Sequence, residues 1–84
     1  MYAIQYRPAA IRDMKKLEKK DMVKIQLHIE RLANNPYPHG SLKMSGEDQL
    51  WRIRVGDYRV VYRVHEDVLV VLVVAIGHRR EVYR

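Results

Sequence analysis

Residues 50–64 read LWRIRVGDYRVVYRV, with apolar and polar side chains alternating on either side of a glycine. A period of two is typical of β-strands, because successive side chains point to opposite faces of a sheet. Gly56 and Asp57 interrupt the alternation, and glycine at the first central position suits a two-residue hairpin turn. The stretch therefore predicts a β-hairpin in which Val55 lies opposite Tyr58.

The predicted register gives this hairpin two unlike faces. One face carries four cations, Arg52, Arg54, Arg59 and Arg63, which we call the arginine face. The other carries apolar side chains suited to a core: Trp51, Ile53, Val55, Val60, Tyr62 and Val64. Like charges directly across a strand pair are destabilising, and a face that only keeps a protein soluble usually mixes both signs. The pattern therefore favours a site for a polyanion over a merely solubilising surface.

The residues before the hairpin predict one strand and two helices. Residues 2–6 alternate and indicate a short strand, and Pro8 has the backbone angle preferred in the first turn of a helix. Apolar residues then recur at three- and four-residue spacing. We expect a helical hairpin that breaks near Lys20, with Asp21 capping the second helix. Residues 34–41 are rich in turn formers and predict a loop.

The residues after the hairpin predict a turn at residues 65–67 and then a central strand, since residues 68–76 are apolar throughout. Its side chains on the arginine face would be Val70, Leu72 and Val74, an apolar strip that suggests a covering partner segment. The predicted class is α+β. We expect an N-terminal strand, the helical hairpin and a three-stranded antiparallel meander, with the helices on one face of the sheet. Residues 1–84 would form a single domain.

Composition narrows the class of protein. The chain has 84 residues, of which 48% are hydrophobic and 31% charged, as in globular proteins. No cysteine is present, which excludes disulfides, cysteine-ligated zinc and a thiol nucleophile, and which fits a cytoplasmic location. The longest apolar run has nine residues, so we expect no membrane span. The net charge of +6 favours nucleic acid as a partner, ahead of an acidic protein or an anionic lipid.

The two kinds of cation occupy different parts of the chain. Five of the six lysines lie between Lys15 and Lys24, whereas seven of the ten arginines lie at or after Arg52. Arginine offers a planar donor fork suited to phosphate, and lysine offers a hydrated point charge. We therefore expect the arginines to form the site. Four lysines should form a solvated helix face that also steers RNA: Lys15, Lys16, Lys19 and Lys20.

The chain closes with GHRREVYR at residues 77–84, a glycine followed by a dense set of functional groups at the end of the central strand. Such strand ends commonly present chemistry from a rigid scaffold. Three other histidines, His28, His39 and His65, are interpreted as structural or inert. No histidine pair has the spacing of a metal site, so no metal or cofactor is expected.

Three segments together resemble the RelE branch of the RelE/ParE toxin superfamily, over essentially the whole chain. They are LKMSG at 42–46, LWRIRVGDYRVVY at 50–62 and AIGHRREVY at 75–83. The resemblance implies the toxin of a toxin–antitoxin pair, with a cognate antitoxin as partner. It implies an enzyme that cleaves mRNA, typically in the ribosomal A site, leaving a 2′,3′-cyclic phosphate and a 5′-hydroxyl.

The resemblance also assigns residues by position. Arg59 and Arg79 match the phosphate-stabilising arginines of the family, and Tyr83 matches its C-terminal catalytic or stacking tyrosine. Arg52 and Arg54 stand where the best-studied members have lysines. Two further cations are expected to contact RNA, namely Arg63 and Arg80.

Because residues 52 and 54 are arginines and not lysines, the group that accepts the proton of the 2′-hydroxyl is left open. A guanidinium can stabilise the extra charge of a pentacovalent phosphorane, but it stays protonated and cannot take the proton of the 2′-hydroxyl. His78 is favoured for proton transfer, with Tyr83 or alignment of the RNA by the ribosome as alternatives. Two other functions stay open at this point: a ParE-like gyrase inhibitor and an RNA-binding module without turnover.

Overall fold

A computed structural model of the chain describes residues 1–44, 46 and 49–78. Within these residues the protein forms five strands and two helices, in the order expected for the α+β class. Their bounds are β1 Ala3–Tyr6, α1 Pro8–Lys15, α2 Lys19–Arg31, β2 Leu42–Lys43, β3 Leu50–Val55, β4 Tyr58–His65 and β5 Val70–His78. None of the helices in this described part is long and apolar enough to cross a membrane.

All five strands join one sheet in the order β1-β5-β4-β3-β2. The antiparallel meander β3-β4-β5 is confirmed, and β5 lies in the interior of the sheet as its apolar sequence predicts. Two features were not predicted. β1 pairs with β5 in parallel, and the two-residue β2 extends the sheet beyond β3.

The β3–β4 hairpin has the predicted register. Val55 lies opposite Tyr58, Arg54 opposite Arg59 and Ile53 opposite Val60. Gly56 has a φ of 60°, and no positive φ occurs at Asp57, which is the sign pattern of a type II′ turn. This turn twists in the sense that the flanking strands require, so the local sequence alone fixes the pairing.

The core lies between the helices and one face of the sheet. Ala10, Ile25, Ile29 and Leu32 are buried from the helical side. The sheet contributes Ile53, Val55, Val60, Tyr62, Val64, Val71, Val73 and Ile76. Trp51 and Tyr58 pack against this cluster while keeping part of their surface exposed. The assignment of the apolar face of the hairpin to the core is therefore confirmed.

A β-bulge in β5 corrects the expectation for Val74. Val61 pairs with Ala75 and Tyr62 pairs with Val73, so Val74 is an extra residue without a partner in that register. A bulge adds one residue to one strand and thereby exchanges the faces of every residue that follows. Val70 and Leu72 lie on the arginine face as predicted, but beyond the bulge that face is continued by Ala75 and Gly77.

The helix boundaries also differ from expectation. The break between the helices lies at residues 16–18 rather than near Lys20, and Glu18 occupies the N-cap position of α2 without a side-chain hydrogen bond. Asp21 is therefore not the cap. Its carboxylate lies in the first turn, where it complements the helix dipole and accepts a hydrogen bond from the Tyr58 hydroxyl at 3.3 Å.

The turn after β4 spans residues 66–69, so β5 begins at Val70 and not at Val68. Leu69 has a φ of 53°, a conformation outside the strand region, and both Val68 and Leu69 are exposed. His65 is the last residue of β4 rather than part of the turn. The hydrophobicity of Val68 and Leu69 predicted that they belong to the strand, but both residues are part of the turn that reverses the chain.

Candidate functional site

Three guanidinium side chains line one cavity on the arginine face of the sheet. Arg52, Arg54 and Arg59 surround a volume of about 190 Å³, together with Gly40 and Leu42. The hairpin register brings them together, because residues 52 and 54 share a face of β3 and Arg54 lies directly opposite Arg59 on β4. We call this space the arginine cavity.

The three arginines differ in how they are held. Arg59 is only 8% exposed, so the surrounding protein fixes the place of its positive charge. Arg54 is exposed, but its Nε donates a hydrogen bond to the carbonyl oxygen of Gly56 at 3.2 Å. Arg52 is half-buried. Cations fixed in place before a ligand arrives lose little freedom when an anion binds, and low solvent exposure strengthens the attraction.

The wall at Gly40 belongs to the loop at residues 34–41, which the core holds in place. The buried Tyr62 hydroxyl donates to the carbonyl oxygen of Pro36 at 2.8 Å. The Tyr37 hydroxyl donates to Glu66 at 2.7 Å, and the Tyr37 ring lies 4.8 Å from that of Trp51. The loop therefore forms a fixed side of the cavity.

Arg63 shares the arginine face but does not line the cavity. It pairs with Leu50 on one side and Leu72 on the other, farther along β4 from the turn. The structure thus gathers three of the four predicted arginines around one space. The fourth extends the cationic face beside the half-buried Leu72.

His78 lies on the other face of the sheet. It pairs with Tyr58 at the end of β5, and the two rings meet edge-on with centroids 5.6 Å apart. One neighbouring cavity contains His78 with Asp21 and Lys24 from α2. The bulge at Val74 accounts for this placement, since without it His78 would share the arginine face. The structure does not bring His78 together with the arginine cavity.

The predicted lysines lie around the turn between α1 and α2. All four are exposed: Lys15, Lys16, Lys19 and Lys20. Lys16 and Lys20 each line a cavity that also includes His78. The lysines therefore form a basic surface on the helical side of the molecule, at the end of β5, and not a part of the arginine cavity.

Three predicted site residues, Arg79, Arg80 and Tyr83, lie outside the described residues. Among the tyrosines that are described, burial raises the pKa of Tyr62 to about 12. Desolvation, followed by the charge of Asp21, raises the pKa of Tyr58. Both hydroxyls therefore stay protonated near neutral pH and act as hydrogen-bond donors.

Sequence reasoning missed a second cavity that adjoins the first. His28 and Arg31 from α2, and His39 from the loop, line a space of about 370 Å³ that also includes Arg54. These positions are remote in sequence, so no local motif indicated that they come together. Among the described residues, no group of three or more His, Asp or Glu side chains could hold a metal ion.

A small α+β domain with a cationic cavity on its sheet has the fold of known toxins. The RelE–RelB complex of Pyrococcus horikoshii OT3 contains a chain that superimposes with a TM-score of 0.83 at 24% identity, covering 95% of this chain and 97% of that one. The isolated RelE toxin of Escherichia coli gives a TM-score of 0.83 at 24% identity, covering 99% and 92%. These similarities establish the fold.

The sequence comparisons establish the family. Residues 4–83 match the family described as the ParE toxin of the type II toxin–antitoxin system parDE. A protein named toxin RelE1 from Methanocaldococcus jannaschii is 27% identical over 86 residues, covering 99% of this chain and 96% of the relative. A RelE-like toxin protein of Escherichia coli is 27% identical over 79 residues, covering 93% and 83%. The chain belongs to the ParE toxin family of type II toxin–antitoxin systems, and both relatives are named for RelE, so the resemblance to the RelE/ParE superfamily is confirmed.

Proposed function

We propose that this toxin is an endoribonuclease that cleaves mRNA, with the ribosomal A site as the place of cleavage. The observation that carries the proposal is the arginine cavity, in which Arg52, Arg54 and Arg59 converge on a space of about 190 Å³. Fixed guanidinium groups suit the non-bridging oxygens of a phosphate, because their planar forks offer paired donors.

The proposed reaction forms a bond between the 2′-oxygen and phosphorus and breaks the bond between phosphorus and the 5′-oxygen. A proton leaves the attacking hydroxyl and another reaches the departing oxygen, giving a 2′,3′-cyclic phosphate and a 5′-hydroxyl. Negative charge grows on the phosphorane between these events. The three arginines of the cavity stabilise that charge, and Arg54 and Arg59 are held in place before RNA binds. Such electrostatic stabilisation is often the largest single contribution to catalysis.

The placement of the side chains guides the assignment of the proton transfers. Arginine cannot act as the base. His78 lies on the opposite face of the sheet, so we propose that it contacts RNA at the end of β5 rather than exchanging a proton in the arginine cavity. Tyr83, with Arg79 beside the phosphate, is the proposed group for proton transfer, aided by a ribosome that aligns the 2′-hydroxyl for attack. Arg63 and Arg80 are proposed RNA contacts, and the lysines a steering surface.

A cognate antitoxin is the proposed protein partner, in the cytoplasm. The similar solved structures include RelE–RelB complexes from Pyrococcus horikoshii OT3 and from Methanococcus jannaschii. In this chain, Val70 and Leu72 place apolar surface beside the cations of the arginine face. A segment with both acidic and apolar side chains would cover this surface and block access to the cavity.

Gyrase inhibition, the ParE-like alternative raised by the sequence, is the second candidate, since the matched family is named for ParE. The two functions differ in the response of a cell. Blocked translation supports the nuclease, whereas a DNA-damage response supports gyrase inhibition. A third candidate, RNA binding without turnover, is separated from the nuclease by analysis of the RNA products.

The deciding experiment is cleavage of a ribosome-bound message by the wild type and by Arg59→Ala. We expect cyclic-phosphate ends from the wild type and a rate about 10²- to 10³-fold lower for the variant, the usual cost of removing one charge-stabilising group. Arg52→Ala, at a less buried position, should also lose activity. Activity should survive chelation on any substrate that stays assembled.

Arg7→Ala is the matched control, because Arg7 is exposed and lies outside the cavity. It should cleave at the wild-type rate, and thermal unfolding should show that each variant is folded. A folded wild type that leaves no cyclic-phosphate ends on ribosome-bound mRNA would contradict the proposal.

A further inference from the structure

The second cavity lies where the sheet, the loop and the end of α2 meet. Its volume is about 370 Å³, and its lining includes His28, Arg31, His39 and Arg54. Arg31, His39 and Arg54 are exposed and His28 is half-buried, so the space opens to solvent. The sequence predicted that His28 and His39 are structural or inert, but both line this cavity together with two arginines.

This second cavity adjoins the arginine cavity. Both are lined by Arg54 and by Gly40. β2 pairs with β3 only at Trp51 and Arg52, so it stops short of the last residues of β3. The last residues of β3 are therefore not paired with β2, and Arg54 lies at this unpaired edge between the two cavities.

The lining of the second cavity suits one unpaired nucleotide. Ile53 and Pro38 supply apolar surface, and the two imidazole rings can stack on a base. Arg31 and Arg54 supply charge for the phosphates that flank it. No acidic side chain occurs among the described residues that line this cavity, so it is complementary to an anion.

One hydrogen bond fixes the orientation of His28. Its Nδ1 lies 2.9 Å from the carbonyl oxygen of Lys24, and a carbonyl can only accept, so Nδ1 carries the proton. In the neutral ring Nε2 is then an acceptor, and it remains available to a hydroxyl or amino group of a ligand. A side chain held in this way recognises a nucleotide at little cost in conformational freedom.

We propose that the second cavity binds the nucleotide one position beyond the two that flank the scissile phosphate, on the same RNA strand. This inference rests on the proposed function and extends it from the reacting phosphate to a neighbouring subsite. Arg54 links the two sites, because it lines both cavities and its Nε donates a hydrogen bond to the carbonyl oxygen of Gly56. The subsite would increase the number of mRNA nucleotides that the toxin contacts.

The test measures the affinity of ribo-oligonucleotides that carry 2′-O-methyl groups and so resist cleavage. We expect a tetranucleotide with the scissile linkage at its centre to bind the wild type about tenfold more tightly than a dinucleotide, because one additional base stacks in the second cavity. Arg31→Ala and His39→Ala should lose most of this gain and bind the dinucleotide unchanged. Arg52→Ala should weaken both ligands, and Arg7→Ala neither. Arg7, Arg31 and His39 are exposed and Arg52 is half-buried, and thermal unfolding should show that each variant is folded.

Three outcomes decide the matter. Arg31→Ala and His39→Ala proteins that retain the whole gain overturn the subsite. So does loss of antitoxin affinity at unchanged RNA affinity, because the cavity would then belong to a protein interface. A gain in affinity with RNA length that both variants abolish supports the subsite. If the subsite is supported but ribosome-bound mRNA yields no cyclic-phosphate ends, only the cleavage proposal fails.

Discussion

The hydroxyl of Tyr62 joins the core to the loop that borders the arginine cavity. It donates to the carbonyl oxygen of Pro36 at 2.8 Å, and both residues are buried. Tyr62→Phe leaves that carbonyl without its partner, so we expect a loss of about 1–3 kcal/mol in the free energy of unfolding, measured by urea denaturation. Tyr37→Phe is the control, since Tyr37 is exposed and its bond to Glu66 should contribute less. Equal stability of the wild type and Tyr62→Phe would contradict this role.

The same residue predicts a dependence of stability on pH. Burial raises the pKa of Tyr62 from 10.0 to about 12 in the folded protein. Between these values the unfolded chain loses the phenolic proton and the folded chain keeps it, so the free energy of unfolding falls as pH rises, by about 1.4 kcal/mol per unit for this group. Below pH 10 the contribution is fully present. Denaturation between pH 8 and 12 should show a shallower decline for Tyr62→Phe, and parallel curves would refute the assignment.

Individual site residues were predictable where a local pattern determined them. Arg52, Arg54 and Arg59 share a face because strand alternation and one two-residue turn suffice to place them. His78 was expected near these arginines, but its face depends on a bulge that no local pattern reveals. The clustering of Arg31 with Arg54 depends on tertiary packing, which sequence periodicity does not report.

At the scale of elements, α1 completes the hydrogen bonding of β5. The parallel pairing with β1 reaches only Val73, which lies opposite Tyr6 and accepts from the Arg7 amide at 2.9 Å. Farther along, the amide of Ile76 donates to the carboxylate of Asp13 at 3.0 Å. A helix side chain thus takes over where the neighbouring strand ends, as buried backbone groups require a partner.

This arrangement predicts that Asp13→Ala destabilises the protein by about 1–3 kcal/mol, because the Ile76 amide would lose its acceptor. Asp13→Asn keeps an acceptor oxygen and should recover most of the loss. Hydrogen exchange at the Ile76 amide provides the specific measurement, with faster exchange expected in Asp13→Ala alone. Unchanged protection in that variant would show that another group serves the amide.

The elements themselves were predicted well where their signals are local. Alternation located β1, β3 and β4, and helical periodicity located both helices. The parallel pairing of β1 with β5 joins residues some 67 positions apart, as Ala3 with Val70, and sequence alternation carries no information about partners. α2 begins at Lys19, with Glu18 at the N-cap, and Asp21 instead accepts a hydrogen bond from Tyr58, a contact between distant elements.

Considered as a whole molecule, the protein carries two cationic surfaces separated by the sheet. The arginine cavity lies on one side, and the lysines at the turn between the helices lie on the other, near the end of β5. The net charge of +6 attracts any polyanion at long range, whereas the buried Arg59 and the hydrogen-bonded Arg54 hold their charges in place beside the arginine cavity. We therefore expect the lysine surface to contribute to long-range attraction of RNA, and the arginine cavity on the other side of the sheet to bind it.

This separation predicts the salt dependence of RNA binding. Each phosphate contact adds about 0.7 to the magnitude of the slope of log K against log salt for a single strand. Arg52→Ala should reduce that magnitude by about this amount, whereas Arg7→Ala should leave it unchanged. Titrations from low to high salt with an unstructured RNA would measure both, and identical slopes for all three proteins would place the RNA elsewhere.

The bulge at Val74 has a consequence for how the gene can vary. It sets the small Ala75 and Gly77 beside Val61 and Arg59, and sends the bulky Ile76 into the core. Deleting one codon there would swap these neighbours, crowding the phosphate-facing side with an isoleucine and leaving a void beneath the helices. Replacements at position 74 itself, which is partly solvent-accessible, meet no such obstacle. We therefore expect β5 to tolerate substitutions at position 74 but not insertions or deletions.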